Sequence, residues 1–307
     1  MSNTQDKAPN LLAPRHWPTW FGLSLGWIIS QLPYGLQMLL GRGLGKLCYW
    51  LLKSRRHVVE VNLRLAFPKM SEPDRAEMVR AHFSSAGQGI IETLLCWWGS
   101  NARVKKLAHF EGLEHLQAAI ATGRGILLLS AHFTSLELGV RMSTMHADVT
   151  AMYRPPNNPV IDRVMRASRE RHVGKDVIPK SNIRGLIRSL REGQAVWYAP
   201  DQSARNKFSA MVPFFGVPAM TNLATNRLAK MSNAIVLPFF TLRRDDGQGY
   251  RVLILPPLAD FPGDDEIADA LRVNQVIEKV VKEAPEQYFW LHRRFKRDDG
   301  IDPYAQQ

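Results

Sequence analysis

The sequence predicts an α/β fold, a central sheet flanked by helices, with a hydrophobic membrane-anchor helix at its N-terminus. Three observations predict it. From about residue 107 short β-rich runs alternate with helical ones, the pattern of a sheet with helices packed on both faces. The preceding segment, from about 55 to 98, is helical in pattern. Ahead of both lie 26 residues, 16–41, without Asp, Glu, Lys or Arg.

Taken in order, residues 1–15 form a polar, Pro-containing tail. Residues 16–41 read HWPTWFGLSLGWIISQLPYGLQMLLG. As one helix they reach roughly 39 Å, more than the ~30 Å of a hydrocarbon core. Gln31, Pro33 and Gln37 interrupt the run, so an interfacial hairpin is the alternative, and Trp17, Trp20, Trp27 and Tyr34 favour a membrane interface. No small-residue cleavage site follows. Arg42, Lys46, Lys53, Arg55 and Arg56 crowd the C-terminal flank, against Lys7 and Arg15 upstream. The positive-inside rule then puts the body of the protein in the cytoplasm.

GRGLGK at 41–46 imitates a phosphate loop only superficially, because Leu40 and Leu47 stand where Gly and Ser/Thr are required. Residues 55–66 read as an amphipathic helix ended by Pro68. Ser71 followed by Asp74 opens a long helix to about 98. Strands are expected at 125–130, 148–153, 176–179, 194–199, 234–241 and 250–256. Helices are expected at 134–146, 158–172, 182–192, 220–231 and 265–283. Residues 42–307 read as one domain.

The chain carries 40 basic and 28 acidic residues, a net +12. That excess calls for an anionic partner: nucleic acid, an anionic membrane, a phosphorylated substrate or an acidic protein. Cys48 and Cys96 show no metal spacing and fit a reducing compartment.

Polar groups follow three of the expected strands, where ligands bind in open α/β sheets. His132, with Glu137 five residues on, follows the first; Arg154 follows the second; Asp201 and Gln202 follow the fourth. A histidine delivered to a helix mouth with a carboxylate close behind is a candidate general base. Each has a plainer reading. Thr134 to Glu137 is itself a capping box. A lone histidine is more often structural, and Arg154 with Asp201 could be an ion pair.

HFTSLE resembles the His-x4-Asp/Glu motif of the glycerolipid and lysophospholipid acyltransferases. With GRGLGKL, GILLLSAHFTSLELG, YRPPNNPVID, VWYAPDQ, MVPFFGVPA and APEQYFWLHRRFK, the chain resembles the late acyltransferases of bacterial lipid A biosynthesis, of the lauroyl type, from its N-terminus to its end. The resemblance implies transfer of a fatty acyl chain from acyl carrier protein to the 3-hydroxyl of an acyl chain on a Kdo-bearing tetra-acylated lipid A precursor. It implies the cytoplasmic face of the inner membrane, with a single-pass or monotopic anchor, and no metal or dissociable cofactor. In that chemistry His132 is the base and Glu137 orients its ring and stabilises the imidazolium. Arg154 matches a position for an acidic substrate group, and Asp201 and Gln202 match a polar loop lining the site. The basic aromatic stretch with Trp290, Arg293, Arg294, Phe295, Lys296 and Arg297 then faces an anionic surface.

Two other readings stand beside it. One keeps the chemistry but changes the acyl chain or position, to myristoyl or palmitoleoyl. The other is a non-catalytic membrane lipid-binding protein. No nucleic-acid module is recognised, so nucleic acid is not expected as a partner.

Overall fold

The computed structural model describes residues 10–153, 155–173, 178–179, 181–203, 206–297 and 299–305. The elements are α1 (Trp17–Gln31), α2 (Tyr34–Leu51), α3 (Lys53–Ala66), α4 (Glu72–Trp98), α5 (Asn101–Leu107), β1 (Ala108–Glu111), α6 (Leu113–Ala121), β2 (Ile126–Leu129), α7 (Leu136–Ser143), β3 (Val149–Tyr153), α8 (Pro159–Val173), β4 (Ile178–Pro179), α9 (Ile183–Arg191), β5 (Ala195–Tyr198), β6 (Ser209–Phe214), β7 (Val217–Asn222), α10 (Ala224–Ser232), β8 (Ile235–Arg243), β9 (Tyr250–Ile254) and α11 (Glu266–Glu283).

Seven strands form one sheet in the order β1-β9-β8-β2-β5-β3-β4, and β6 with β7 forms a separate hairpin. All pairs in the large sheet are parallel except β8 with β9. The central strands are apolar at successive positions because both faces are covered. In β2, Leu127 and Leu129 face one core, with α3, α9, α10 and α11. Ile126 and Leu128 face the other, with α5, α6, α7 and α8. α4 reaches both: Val79 and Phe83 pack into the first core, Leu95 and Trp97 into the second.

Residues 16–41 do not form the single expected helix. Leu32 is extended and Pro33 caps a second helix, so the stretch is split between α1 and α2. The corner is locked from inside. The buried Gln37 amide donates to the Ser30 and Leu32 carbonyls at 2.9 and 2.8 Å. Arg103 donates to the same two oxygens at 2.6 and 2.7 Å. Among the described residues no helix is long and apolar enough to cross a membrane.

GRGLGK lies inside α2 and serves its crossing with α4. A Cβ on Gly45 would meet the Phe83 carbonyl oxygen at 2.2 Å, and one on Gly87 would meet that of Gly41 at 2.2 Å. The helices touch backbone to backbone, which side chains at these positions would prevent.

Two expectations are displaced elsewhere. The helix expected from 220 begins at Ala224, because 217–222 is the second strand of the hairpin. Strand β1 and helix α6 occupy a region, 108–121, for which no element was expected.

Candidate active site

The pairing of β2 with β5 sets Leu129 opposite Tyr198. Three residues beyond each strand end, His132 and Asp201 therefore meet. Asp201 Oδ1 lies 2.7 Å from His132 Nδ1, and its Oδ2 accepts from the His132 backbone N–H at 3.0 Å. Asp201 is buried. Burial pushes its carboxyl up, but the charge on His132, its two hydrogen bonds and the Tyr288 hydroxyl outweigh that and leave the pKa below the ordinary value. A carboxylate on Nδ1 leaves Nε2 as the ring nitrogen that can act on a substrate.

The carboxylate on the His132 ring is thus that of Asp201, while Glu137 walls a groove together with His132 without bonding to its ring. Glu137 is engaged elsewhere: its Oε1 and Oε2 accept from Arg169 Nε and Nη2 of α8 at 2.9 and 2.6 Å. This is a two-pronged, largely buried ion pair, with side chains 11% and 13% exposed. The capping box does not form either. Ser135 takes the N-cap position of α7 without a capping bond, and Thr134 Oγ1 sits 2.8 Å from Ser85 Oγ and accepts from Arg243 at 3.1 Å. Arg154 lies outside the described residues.

The loop 132–135 is braced by the segment 285–290, far along the chain. Phe289 N–H donates to the His132 carbonyl, and Thr134 N–H to the Gln287 carbonyl, both at 2.8 Å. Phe133 and Tyr288 form an antiparallel bridge between them. Gln287 is fixed in turn by the backbone of Arg243, at 2.7 and 3.0 Å. On the other side the loop rests on α4, where a Cβ on Gly89 would meet the Thr134 carbonyl oxygen at 2.4 Å.

Behind the brace, a polar knot ties α4 to the sheet. Arg243 donates to Glu92 Oε1 and Oε2 at 2.5 and 2.9 Å, and Tyr250 Oη donates to Oε1 at 2.7 Å. The C-terminal basic stretch is divided, with Arg293 and Lys296 exposed, Arg297 half-buried and its other members turned into the interior. Arg294, Trp290 and Phe295 are buried. Arg294 donates to Met220, Thr221 and Asn274 and lies 4.5 Å over the Phe214 ring. Asn62 donates to the carbonyls of Trp290 and His292 at 2.7 and 2.8 Å.

His132 forms part of the wall of two cavities. One is an apolar groove of about 240 Å³ between α4 and the start of α7, lined by Ala86, Gly89, Ile90, Thr93, Leu136 and Phe289 among others. The other, about 380 Å³, lies at the ends of β3 and β5 and includes Tyr153, Trp197, Gln202, Ser203, Asn222 and His292. Gln202 therefore shares a cavity with His132. His292 accepts from Ser203 N–H at 3.1 Å, and burial holds its ring down at about 4, so it is neutral at neutral pH. No acyl-accepting cysteine stands here: the Cys96 thiol is buried, pushed well above its ordinary pKa by burial and by Glu137, and donates to the Glu137 carbonyl at 3.3 Å.

The model of the bacterial lipid A biosynthesis acyltransferase family matches residues 4–297. The chain belongs to that family. It is 42% identical to the lipid A biosynthesis lauroyltransferase of Escherichia coli (strain K12), over 98% of this chain and 99% of that one. It is 40% identical to the palmitoleoyltransferase of the same organism, over 93% of each. A looser likeness, 14% identity and a TM-score of 0.38, joins it to the solved 1-acyl-sn-glycerophosphate acyltransferase of Thermotoga maritima, across 82% of this chain and 97% of that one. This lipid A acyltransferase is thus an O-acyltransferase, an enzyme that moves an acyl group to an oxygen. Sequence reasoning missed two of its side-chain relationships, Asp201 on the ring and Arg169 on Glu137. The first was signalled by VWYAPDQ following an expected strand; the second was hidden among the several arginines of α8.

Proposed function

We propose that this acyltransferase moves a lauroyl chain from acyl carrier protein to the 3-hydroxyl of an acyl chain on the Kdo-bearing tetra-acylated lipid A precursor, at the cytoplasmic face of the inner membrane. The observation that carries the reading is His132: clamped by Asp201 at Nδ1 and standing between an apolar groove and a second cavity.

The chemistry follows from that arrangement. A secondary alcohol ionises far above neutral pH, so it needs a base as it attacks. His132 Nε2 takes the hydroxyl proton while the oxygen bonds to the thioester carbonyl carbon, a task worth about 10²–10⁴-fold in rate. Asp201 stabilises the imidazolium that forms. The tetrahedral oxyanion collapses, the C–S bond breaks, and the imidazolium returns its proton to the departing thiolate. The transfer is direct and requires no acyl-enzyme. The apolar groove suits a fatty chain, and the strand-end cavity, with Gln202 and the neutral His292, suits the polar arm of the donor. Arg154 is assigned to an acidic group of the substrate, on the resemblance alone.

The surface of α1 and α2 supports membrane attachment. Trp17, Phe21, Ile28, Leu39, Trp50 and Leu51 are exposed, with Trp50 at 70% and Phe21 at 75%. Arg42, Lys46, Lys53, Arg55 and Arg56 lie among and after them, each worth about 1 kcal/mol against anionic lipid. Two apolar helices of 15 and 18 residues, both packed on α4, suit a place in the membrane interface. Ile90 and Phe289, at the groove, are exposed as well and offer lipid chains a way in.

Palmitoleoyl transfer is the second reading, favoured by the near-equal 40% identity to the palmitoleoyltransferase. Acyl transfer from a panel of carrier-protein thioesters to the tetra-acylated precursor, followed by mass spectrometry, decides. A gain of one lauroyl chain, absent in His132→Ala, is expected. A preference for palmitoleoyl selects the second reading, and turnover persisting in His132→Ala overturns the general-base assignment.

A further inference from the structure

We infer that α9 and α10, with the loop before β6, form the docking face for the acidic protein that delivers the acyl thioester. The inference rests on the donor assigned above and adds where that donor sits.

α9 buries Leu186 and Leu190 and turns the rest of its surface outward. Ile183, Arg184, Arg188 and Arg191 are exposed on it. Between α9 and Met231 of α10 lies an open cavity of about 530 Å³ walled by Arg184, Ile187, Arg188 and Arg191, with Glu192 as its one acidic side chain among the described residues. Arg191 is committed to the Met231 carbonyl, at 3.1 and 2.8 Å. Arg184 and Arg188 form no ion pair among the described residues, while Arg56 and Arg166 elsewhere on the surface, and Arg227 at the edge of the patch, are paired. The patch continues along α10. Phe208 is flanked by Lys207 and Arg227 at 5.0 and 4.6 Å from its ring, and Lys230 lies beyond, 3.9 Å from Asp264.

The result is an apolar centre, with Ile183, Phe208 and Met231 each more than 40% exposed, inside a basic rim. That is the anatomy of a protein interface, and its sign selects an acidic partner. Its place in the fold fits a donor with a long arm. β4 pairs with Met152 and Tyr153, so α9 starts at the sheet end that holds the cavity beside His132. From β2 to β4 is three strand spacings, about 14 Å. Asn222, on the wall of that cavity, is next to Leu223, whose N–H donates to the Phe208 carbonyl at 2.9 Å.

The test is kinetic, on the full chain, with one acceptor and two donors: acyl carrier protein thioester, and the same acyl group on pantetheine alone. In Arg184→Glu/Arg188→Glu, KM for the protein-borne donor is expected to rise about tenfold or more, with the difference shrinking as salt is added. kcat/KM for acyl-pantetheine should stay within about twofold, and Arg184→Lys/Arg188→Lys should restore most of the loss. An unchanged KM for the carrier overturns the inference, as does an equal loss with both donors. Lost sedimentation with anionic phospholipid vesicles, with carrier kinetics intact, overturns it in favour of a lipid surface. Failure of the functional reading is separately visible, because wild-type protein would then show no transfer from the carrier thioester at all.

Discussion

Asp201 grips His132 at two points, the ring Nδ1 at 2.7 Å and the backbone N–H at 3.0 Å. One carboxylate thereby fixes the tautomer, the ring plane and the turn that carries the residue. Asp201→Asn keeps the shape and can still accept from the backbone, but it cannot stabilise an imidazolium. A fall in kcat of about 10²–10⁴-fold, with little change in melting temperature, is expected. A loss below tenfold would remove Asp201 from the proton-transfer step.

Glu137 and Arg169 should behave differently from His132. Removing one member of a buried pair strands the other, at about 3–5 kcal/mol. Glu137→Ala and Arg169→Ala are each expected to lower thermal stability as well as turnover, and to lower stability more than His132→Ala, whose partner Asp201 keeps the backbone N–H and the Tyr288 hydroxyl. Thermal unfolding of the three variants, with a Glu137→Ala/Arg169→Ala double mutant to measure coupling, checks this.

Gly89 sets how closely α4 supports the loop of His132. Gly89→Val puts side-chain carbon against the Thr134 carbonyl, where even a Cβ would lie 2.4 Å away. Overpacking of about 1–3 kcal/mol and a displaced His132 are expected, so kcat should fall more than KM rises. Denaturant unfolding and steady-state kinetics on the same preparation read both.

Stability should decline below neutral pH, and His82 gives the sign. It is buried in α4, with Nδ1 3.0 Å from the Glu286 carbonyl. Burial lowers its pKa from 6.5 to about 4, only partly offset by that bond. The unfolded chain therefore takes up a proton that the folded chain refuses. The contribution is complete above pH 6.5 and is lost as pH falls toward 4, by about 1.4 kcal/mol per pH unit. Melting temperatures between pH 7 and 5 should show the fall, and His82→Asn should flatten it.

The exposed apolar residues of α1 and α2 should govern membrane attachment. Trp50→Ser together with Phe21→Ser removes two large exposed rings without touching the core. Binding to anionic vesicles in a sedimentation assay is expected to weaken about tenfold or more. Unchanged binding would place the lipid contact elsewhere.

What could be read in the sequence was what is local. ILLL announced a buried strand and placed His132 at its end. The strand and helix pattern from 125 to 200 likewise came from hydrophobic periodicity. The meeting of His132 with Asp201 did not, because it depends on the register of β2 against β5 across 69 residues. A spacing of five made Glu137 look like the ring partner, but α7 carries it to α8 and Arg169. The β6–β7 hairpin was obscured by apolar residues that continue into α10, so 220–222 read as helix. Arg294 and Trp290 looked like a surface stretch because only tertiary packing, with Asn274, Met220 and Phe214, reveals that they are interior.

The brace of Phe289 and Gln287 on the loop of His132 has a temporal meaning. The histidine, its carboxylate and its brace come from three separate stretches of chain, the last more than 150 residues after the first. A growing polypeptide that has made His132 and even Asp201 still lacks the segment that holds the loop in place. The loop of His132 is therefore held only once residues 285–290 have been made. A chain made only as far as Asp201 thus holds the histidine and its carboxylate but not the frame that fixes them.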